Sequence, residues 1–220
     1  MNYHLQVQEI IEIGRRMHQG GYIVGTEGNI SVRVSPDEIL ITASGKRKGE
    51  MQPEDVVIVD ANGQLRAGDG RVSTEVALHL EVYRQRSDVQ AVIHAHPPYC
   101  IALMLSGRTL DVPILPESVI LLGKVPRAKY ARPSTRQVPD SIRPFIRQTD
   151  VVLLDRHGSL TVGQSLEEAF LKLEALEHAA KVYWMALQVG EVTPLPWEEV
   201  KALMELRQST YGIHWPIIAF

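Results

Sequence analysis

The sequence predicts an α/β fold, a mixed or antiparallel sheet covered by helices. Three observations carry this. Short β-branched runs outnumber what a strict strand–helix alternation would supply. Several of them are joined by hairpin-type turn signals. Helical periodicities lie between and after them, so there is enough amphipathic surface to cover the sheet. No repeat, low-complexity segment or linker divides the 220 residues, and one domain spanning residues 1–220 is the simplest organisation.

Each element has its own signal. Residues 3–19 read as an amphipathic helix, because Leu5, Ile10, Ile13 and Met17 recur at near-helical spacing and Gly20-Gly21 can close it. Gly25 and Gly28 mark a tight turn, after which ISVRV starts a strand. SPDE turns the chain into a second strand over residues 39–43, giving a hairpin. SGKRKGEMQPE reads as a polar loop whose Lys46, Arg47 and Lys48 form a solvated basic stretch, the alternative being that they draw an anionic substrate inward. A third strand over residues 56–59 closes at Ala61-Asn62-Gly63. Residues 74–86 form a helix, capped by Ser73 or Thr74, with Val76, Leu80 and Tyr83 on its apolar stripe. Residues 89–93 read as a strand entering the interior, and Pro97 opens a short helix to about Leu105. Residues 107–135, rich in Pro and Gly, are expected to hold short strands and functional loops. A helix over 139–148, the buried strand DVVLLD, the return strand SLTVG and a helix from the Ser165–Glu168 capping signature follow. A last helix spans about 197–207, and the apolar tail TYGIHWPIIAF is expected to dock on the body.

Composition narrows the function. With 45% hydrophobic and 22% charged residues the chain belongs among soluble globular proteins. A formal charge of −3 disfavours a nucleic-acid partner. The single cysteine, Cys100, forbids an intrachain disulfide and fits a reducing compartment. The start of the chain lacks a signal-peptide layout, and no apolar run is long enough to cross a membrane. A cytoplasmic protein is expected, with no membrane partner.

The chemistry centres on AVIHAHPPY, residues 91–99. Side chains alternate along a strand, so His94 and His96 share one face, a bidentate arrangement that suits a transition metal. Pro97 and Pro98 end the strand and place the pair beside a loop. On spacing alone, two ordinary partly buried histidines are the favoured reading of this pair.

Five motifs in order widen the view: GNISV (28–32), ITASG (41–45), STE (73–75), HAHP (94–97) and HG (157–158), with a fainter TYG at 210–212. Together the chain resembles the class II aldolase and adducin-head family over about residues 7–190. The resemblance implies a single three-layer α/β/α domain with a mostly antiparallel central sheet. It also implies a homotetrameric ring with active sites between neighbouring subunits. It makes His94, His96 and His157 ligands of one Zn2+ per subunit, another divalent metal remaining open, and Glu75 the acid/base and a further ligand when no substrate is bound. It assigns Asn29, Ser44, Gly45, Ser73 and Thr74 to a substrate-phosphate pocket. Small hydroxyls, an amide and a helix start can wrap phosphate oxygens; singly, each reads as a turn or cap residue. Helix-dipole stabilisation is the plain reading of Glu75, and His79, one turn later, is read as structural.

The implied activity is reversible aldol cleavage of a fuculose-1-phosphate-like ketose 1-phosphate to dihydroxyacetone phosphate and an aldehyde. Methylthioribulose-1-phosphate dehydratase, sugar-phosphate epimerase and decarboxylase activities are alternatives within the family. A non-catalytic adducin-like interaction module is the alternative of another class. Glu117 departs from the aldolase pattern, standing at or beside the place where a tyrosine reaches into the neighbour's site. It is either a replacement acid/base or an exposed loop residue. Tyr211 matches a tyrosine lining the aldolase site, or else packs the tail. Arg156 stands where relatives often carry Asn or His.

Overall fold

The architecture is built on one eight-stranded sheet; the computed structural model describes residues 3–220. In chain order the strands are β1 (Asn29–Ser35), β2 (Glu38–Thr42), β3 (Val56–Val59), β4 (Leu65–Ala67), β5 (Ala91–Ala95), β6 (Arg127–Ala128), β7 (Val151–Leu154) and β8 (Gly158–Gly163). They lie side by side as β4-β3-β2-β1-β5-β8-β7-β6. Every neighbouring pair is antiparallel except β6 with β7. The helices are α1 (His4–Gln19), α2 (Val76–Gln85), α3 (Pro98–Leu105), α4 (Pro116–Leu121), α5 (Gln137–Ile142), α6 (Leu166–Val189) and α7 (Trp197–Ser209).

Period-2 alternation sorts the sheet into two apolar faces. Ile39, Ile41, Val57, Val92, Leu160 and Val162 pack against Leu78 and Val82 of α2 and Ile142 of α5. Ile30, Leu40, Ala91, Ile93 and Ala95 face Ile10, Ile13 and Met17 of α1, and Phe170 and Leu173 of α6. A third apolar cluster joins α3 to the later turns of α6 through Cys100, Leu103, Leu176 and Ala180. The α/β/α layering and the mostly antiparallel sheet therefore agree with the expected fold. Cys100 is fully buried and free, a small core filler.

Three sequence expectations change. The stretch 44–54 is not a plain polar loop: it holds two 3-10 turns, Lys48–Glu50 and Pro53–Asp55, and Lys48 is buried rather than solvated. Residues 107–135 contain the helix α4 and only a two-residue strand, β6, because Pro116 opens a helical turn. The exposed edge strand β4 was not foreseen. The tail docks as expected. Arg207 donates to the carbonyls of Ile120, Ile213 and Trp215, and Trp215 Nε1 donates to Leu121 at 2.9 Å. No helix among the described residues is long and apolar enough to cross a membrane.

Candidate active site

β5 runs down the middle of the sheet, between β1 and β8. His94 is on it, fully buried, and His96 lies just past its end. His157 sits in the turn between β7 and β8, and Gly158 opens β8. A side chain at 158 would put its Cβ 2.1 Å from the Ala95 carbonyl and 3.1 Å from the His96 ring, so only glycine lets β8 close on β5 there. Gly28 plays the matching part on the β1 side, with φ +70° and a Cβ position 2.9 Å from the His94 carbonyl.

The three imidazoles face one another, with ring centroids 4.7–5.0 Å apart, and their ligand atoms lie within 4.8 Å of one another. Their outer nitrogens fix what points inward. His94 Nδ1 donates to the Ser159 carbonyl at 2.9 Å. His96 Nδ1 lies 3.2 Å from Glu27 Oε2, so it too carries a proton outward. The two Nε2 atoms are left 3.1 Å apart. Glu75 stands beside them, its Oε2 3.3 Å from His94 Nε2 and its Oε1 3.3 Å from His157 Nε2. Glu75 Oε1 is buried without a hydrogen-bond partner. Burial and the neighbouring His94 push His96 and His157 down to about 4, so both are neutral at pH 7. Lone pairs and a carboxylate converging at this distance repel one another unless a cation lies among them. Three imidazoles and one carboxylate are the donor set of a divalent transition-metal site.

Glu75 is positioned by the start of α2. It is the cap residue preceding Val76, not a member of the first turn, and Ser73 Oγ accepts its backbone N–H at 3.2 Å. Burial alone would raise its carboxyl; His94, the Asn29 amide and His157 outweigh that and hold it well below the usual carboxylate range. Asn29 Nδ2 donates to Glu75 Oε2 at 2.9 Å, which turns Asn29 Oδ1 toward His79 Nε2. His79 Nδ1 meets Ser31 Oγ at 2.6 Å, and Ser31 Oγ meets Tyr83 OH at 2.8 Å. A carboxylate only accepts, and burial keeps His79 neutral, so the proton order follows. Asn29 gives N–H to Glu75, His79 gives Nε2–H to Asn29, Ser31 gives O–H to His79, and Tyr83 gives O–H to Ser31. His79 is fully buried, and that burial pushes its pKa down to about 3.

Beside the histidines opens a cavity of about 400 Å³. Glu75, His96 and His157 are among its lining residues. Asn29, Ser44, Gly45, Ser73 and Thr74 line it as well, so the structure brings the five pocket residues together with the histidine cluster. Pro133 and Ser134 reach it from the loop after β6; Ser134 Oγ bonds Thr74 Oγ1 at 2.9 Å from a left-handed backbone, φ +61°. Glu117 lies exposed in the first turn of α4, and Tyr211 is 59% exposed after α7. Neither lines this cavity within its own chain.

Sequence reasoning passed over Glu27 and Ser134, and read Lys48 as part of a solvated basic loop, which its burial overturns. Glu27 had a local signal, a carboxylate in the GTEGN turn directly before a motif asparagine. Lys48 had none, since only the tertiary fold buries it.

A family model described as Class II Aldolase and Adducin N-terminal domain matches residues 8–184. An L-fuculose phosphate aldolase of Methanococcus vannielii is 32% identical over 178 residues, covering 81% of this chain and 95% of its own. A 5-deoxy-D-ribulose 1-phosphate aldolase of Bacillus thuringiensis is 31% identical over 198 residues, covering 89% and 92%. A 3-oxo-tetronate 4-phosphate decarboxylase of Haemophilus influenzae is 30% identical over 202 residues, covering 90% and 95%. Among solved structures, an L-fuculose 1-phosphate aldolase superposes with a TM-score of 0.84 at 33% identity, over 93% of this chain and 97% of that one.

Proposed function

This chain belongs to the class II aldolase and adducin family, and from that premise we propose that it is a zinc-dependent lyase cleaving a ketose 1-phosphate reversibly to dihydroxyacetone phosphate and an aldehyde. One observation carries the reading: a cluster of imidazoles with a buried carboxylate opens onto the same cavity as a cradle of small hydroxyls, an amide and a glycine. A ketose 1-phosphate has matching ends, a phosphate and, two carbons away, a pair of oxygens to be polarised. His94, His96 and His157 hold the metal, with Glu75 beside them. When bound there, zinc supplies Lewis-acid stabilisation of the negative charge that develops on the substrate oxygens.

The chain's own groups do the rest. Asn29, Ser44, Gly45, Ser73 and Thr74 bind and orient the phosphate. In the condensing direction the ionised Glu75 takes a proton from C3 of dihydroxyacetone phosphate. The C3 electron pair forms the bond to the aldehyde carbon, and an acid returns a proton to what becomes the C4 hydroxyl. Glu117 of a neighbouring subunit is the candidate for that acid, with Tyr211 lining the aldehyde side. Cleavage runs the same transfers backwards. A carboxylate at 117 also suits loss of a hydroxyl as water, which makes a dehydratase the second reading.

Product analysis tests this. Zinc-loaded protein is incubated with fuculose, rhamnulose, 5-deoxyribulose and methylthioribulose 1-phosphates. Dihydroxyacetone phosphate from any of them is the expected result. A dehydrated product of unchanged carbon count would move the assignment to the dehydratase. Carbon dioxide from 3-oxo acid phosphates would move it to a decarboxylase. A chain that binds no metal would return it to an adducin-like module.

A further inference from the structure

Lys48 opens the 3-10 turn that follows the Ser44-Gly45 loop, and it is only 2% exposed. Its Nζ donates to the Thr26 carbonyl at 2.6 Å and to the Lys46 carbonyl at 2.9 Å. The ammonium therefore ties the loop presenting Gly28 and Asn29 to the loop presenting Ser44 and Gly45. No carboxylate among the described residues lies within ion-pair distance of it. Lys172, equally buried, shows the ordinary solution, with Asp150 and Glu168 both 2.5 Å from its Nζ. A buried ammonium facing only carbonyl dipoles is costly, and such groups are normally paired. Burial pushes Lys48 down to about 8, against the pull of the Glu75 and Glu27 carboxylates. An ammonium carries three donors, and two are taken. The side chain also lines the cavity that holds Asn29, Ser44, Ser73 and Thr74.

We infer that Lys48 is the charged member of this anion cradle, its remaining N–H taking an oxygen of a phosphomonoester dianion. The inference rests on the phosphate reading of the cavity. It adds a specificity rule to that reading: Lys48 favours a doubly charged phosphate over a neutral or singly charged group of the same size, because it is the cation the hydroxyl cradle otherwise lacks.

The test is direct binding of inorganic phosphate to the zinc-loaded full chain by titration calorimetry, at several potassium chloride concentrations. Lys48→Met keeps the aliphatic stem and removes the charge; Lys48→Gln does the same with a polar end, should the first variant fail to fold. Phosphate affinity is expected to fall about tenfold or more, and its dependence on salt to flatten, with zinc content unchanged. KM for the turned-over ketose 1-phosphate is expected to rise by a similar factor while kcat holds within about threefold. A strut without charge recognition would leave the salt dependence as it was. A folded variant that binds phosphate like the wild type, with the same salt dependence, overturns the inference and leaves the phosphate pocket standing. A wild type that binds no phosphate overturns the pocket and Lys48 together.

Discussion

At the scale of single residues, the turn joining β7 to β8 carries a local conflict. Arg156 has φ +57°, and His157 N–H closes the turn on the Leu154 carbonyl at 2.9 Å. The left-handed region costs a residue with a branched-off Cβ about 1 kcal/mol, and asparagine tolerates it better. Arg156→Asn is expected to stabilise the fold by about 0.5–1 kcal/mol and raise Tm by about 1–4 °C. Calorimetry on the zinc-loaded protein reads this directly, and an unchanged or lowered Tm would remove the strain argument. The residues visible in the sequence were those whose type announces chemistry, such as His94, His96 and Glu75. Glu27 and Ser134 stayed hidden, and Lys48 read as solvated, because their positions come from burial and from what faces them across the fold. A glutamate or lysine in a polar loop looks the same whether or not a cavity opens behind it.

At the scale of elements, strands β1, β2, β3, β5, β7 and β8 were legible because each is a β-branched run wholly or partly buried by the sheet. α6 was legible because Ser165 caps it by accepting the Glu168 N–H at 3.1 Å. β4 was missed because Leu65–Ala67 is exposed throughout, so no alternation marks it. α4 was missed because one and a half turns give too little periodicity to compete with flanking prolines. The seam between α2 and β1 was hidden in a different way, since its buried polar chain joins residues that look unremarkable singly. His79, at its centre, stays neutral in the fold with a pKa of about 3, against 6.5 when exposed. The unfolded chain therefore takes up a proton that the folded chain refuses, so the seam's contribution is complete above about pH 6.5 and is lost as pH falls toward 3. The slope is about 1.4 kcal/mol per pH unit within that window. Urea midpoints measured from pH 7 to pH 4 in one metal state should fall more steeply for the wild type than for His79→Gln, which has no imidazole to protonate there. His96 and His157 are common to both proteins and cancel in the comparison. Parallel curves would mean that His79 is charged in the fold, and the proton order along the seam would have to be reversed.

At the scale of the whole molecule, neither Glu117 nor Tyr211 lines the cavity that holds Glu75, His96, His157 and the small hydroxyls of its own chain. Glu117, the candidate acid, projects from α4 on the outside of the subunit. α4 is held firmly there. Its last turn is braced by Arg207 Nε at 3.0 Å from the Ile120 carbonyl and by Trp215 Nε1 at the Leu121 carbonyl, and Lys124 bridges to Ile218 in the docked tail. A carboxylate on a braced, outward helix is suited to serve a second copy of the chain rather than its own cavity. Trp184, Met185 and Val189 add exposed apolar surface along α6 that an assembly would cover. If Glu117 acts across a subunit boundary, two inactive variants should repair each other. Glu75→Gln and Glu117→Gln, purified separately, are each expected to lose about 10²–10⁴-fold in kcat while keeping their zinc. Co-expressed at equal levels, their mixed oligomers contain sites in which an intact Glu75 meets an intact Glu117 from the next chain. Random assembly makes about one site in four intact, so about a quarter of the wild-type turnover should return. Co-purified mixed oligomers that hold zinc and remain inactive would place Glu117 inside its own subunit's site rather than a neighbour's. A Glu117→Gln protein as active as the wild type would take the carboxylate out of the mechanism altogether and leave the aldehyde-side proton to another group, with Tyr211 the next to be replaced.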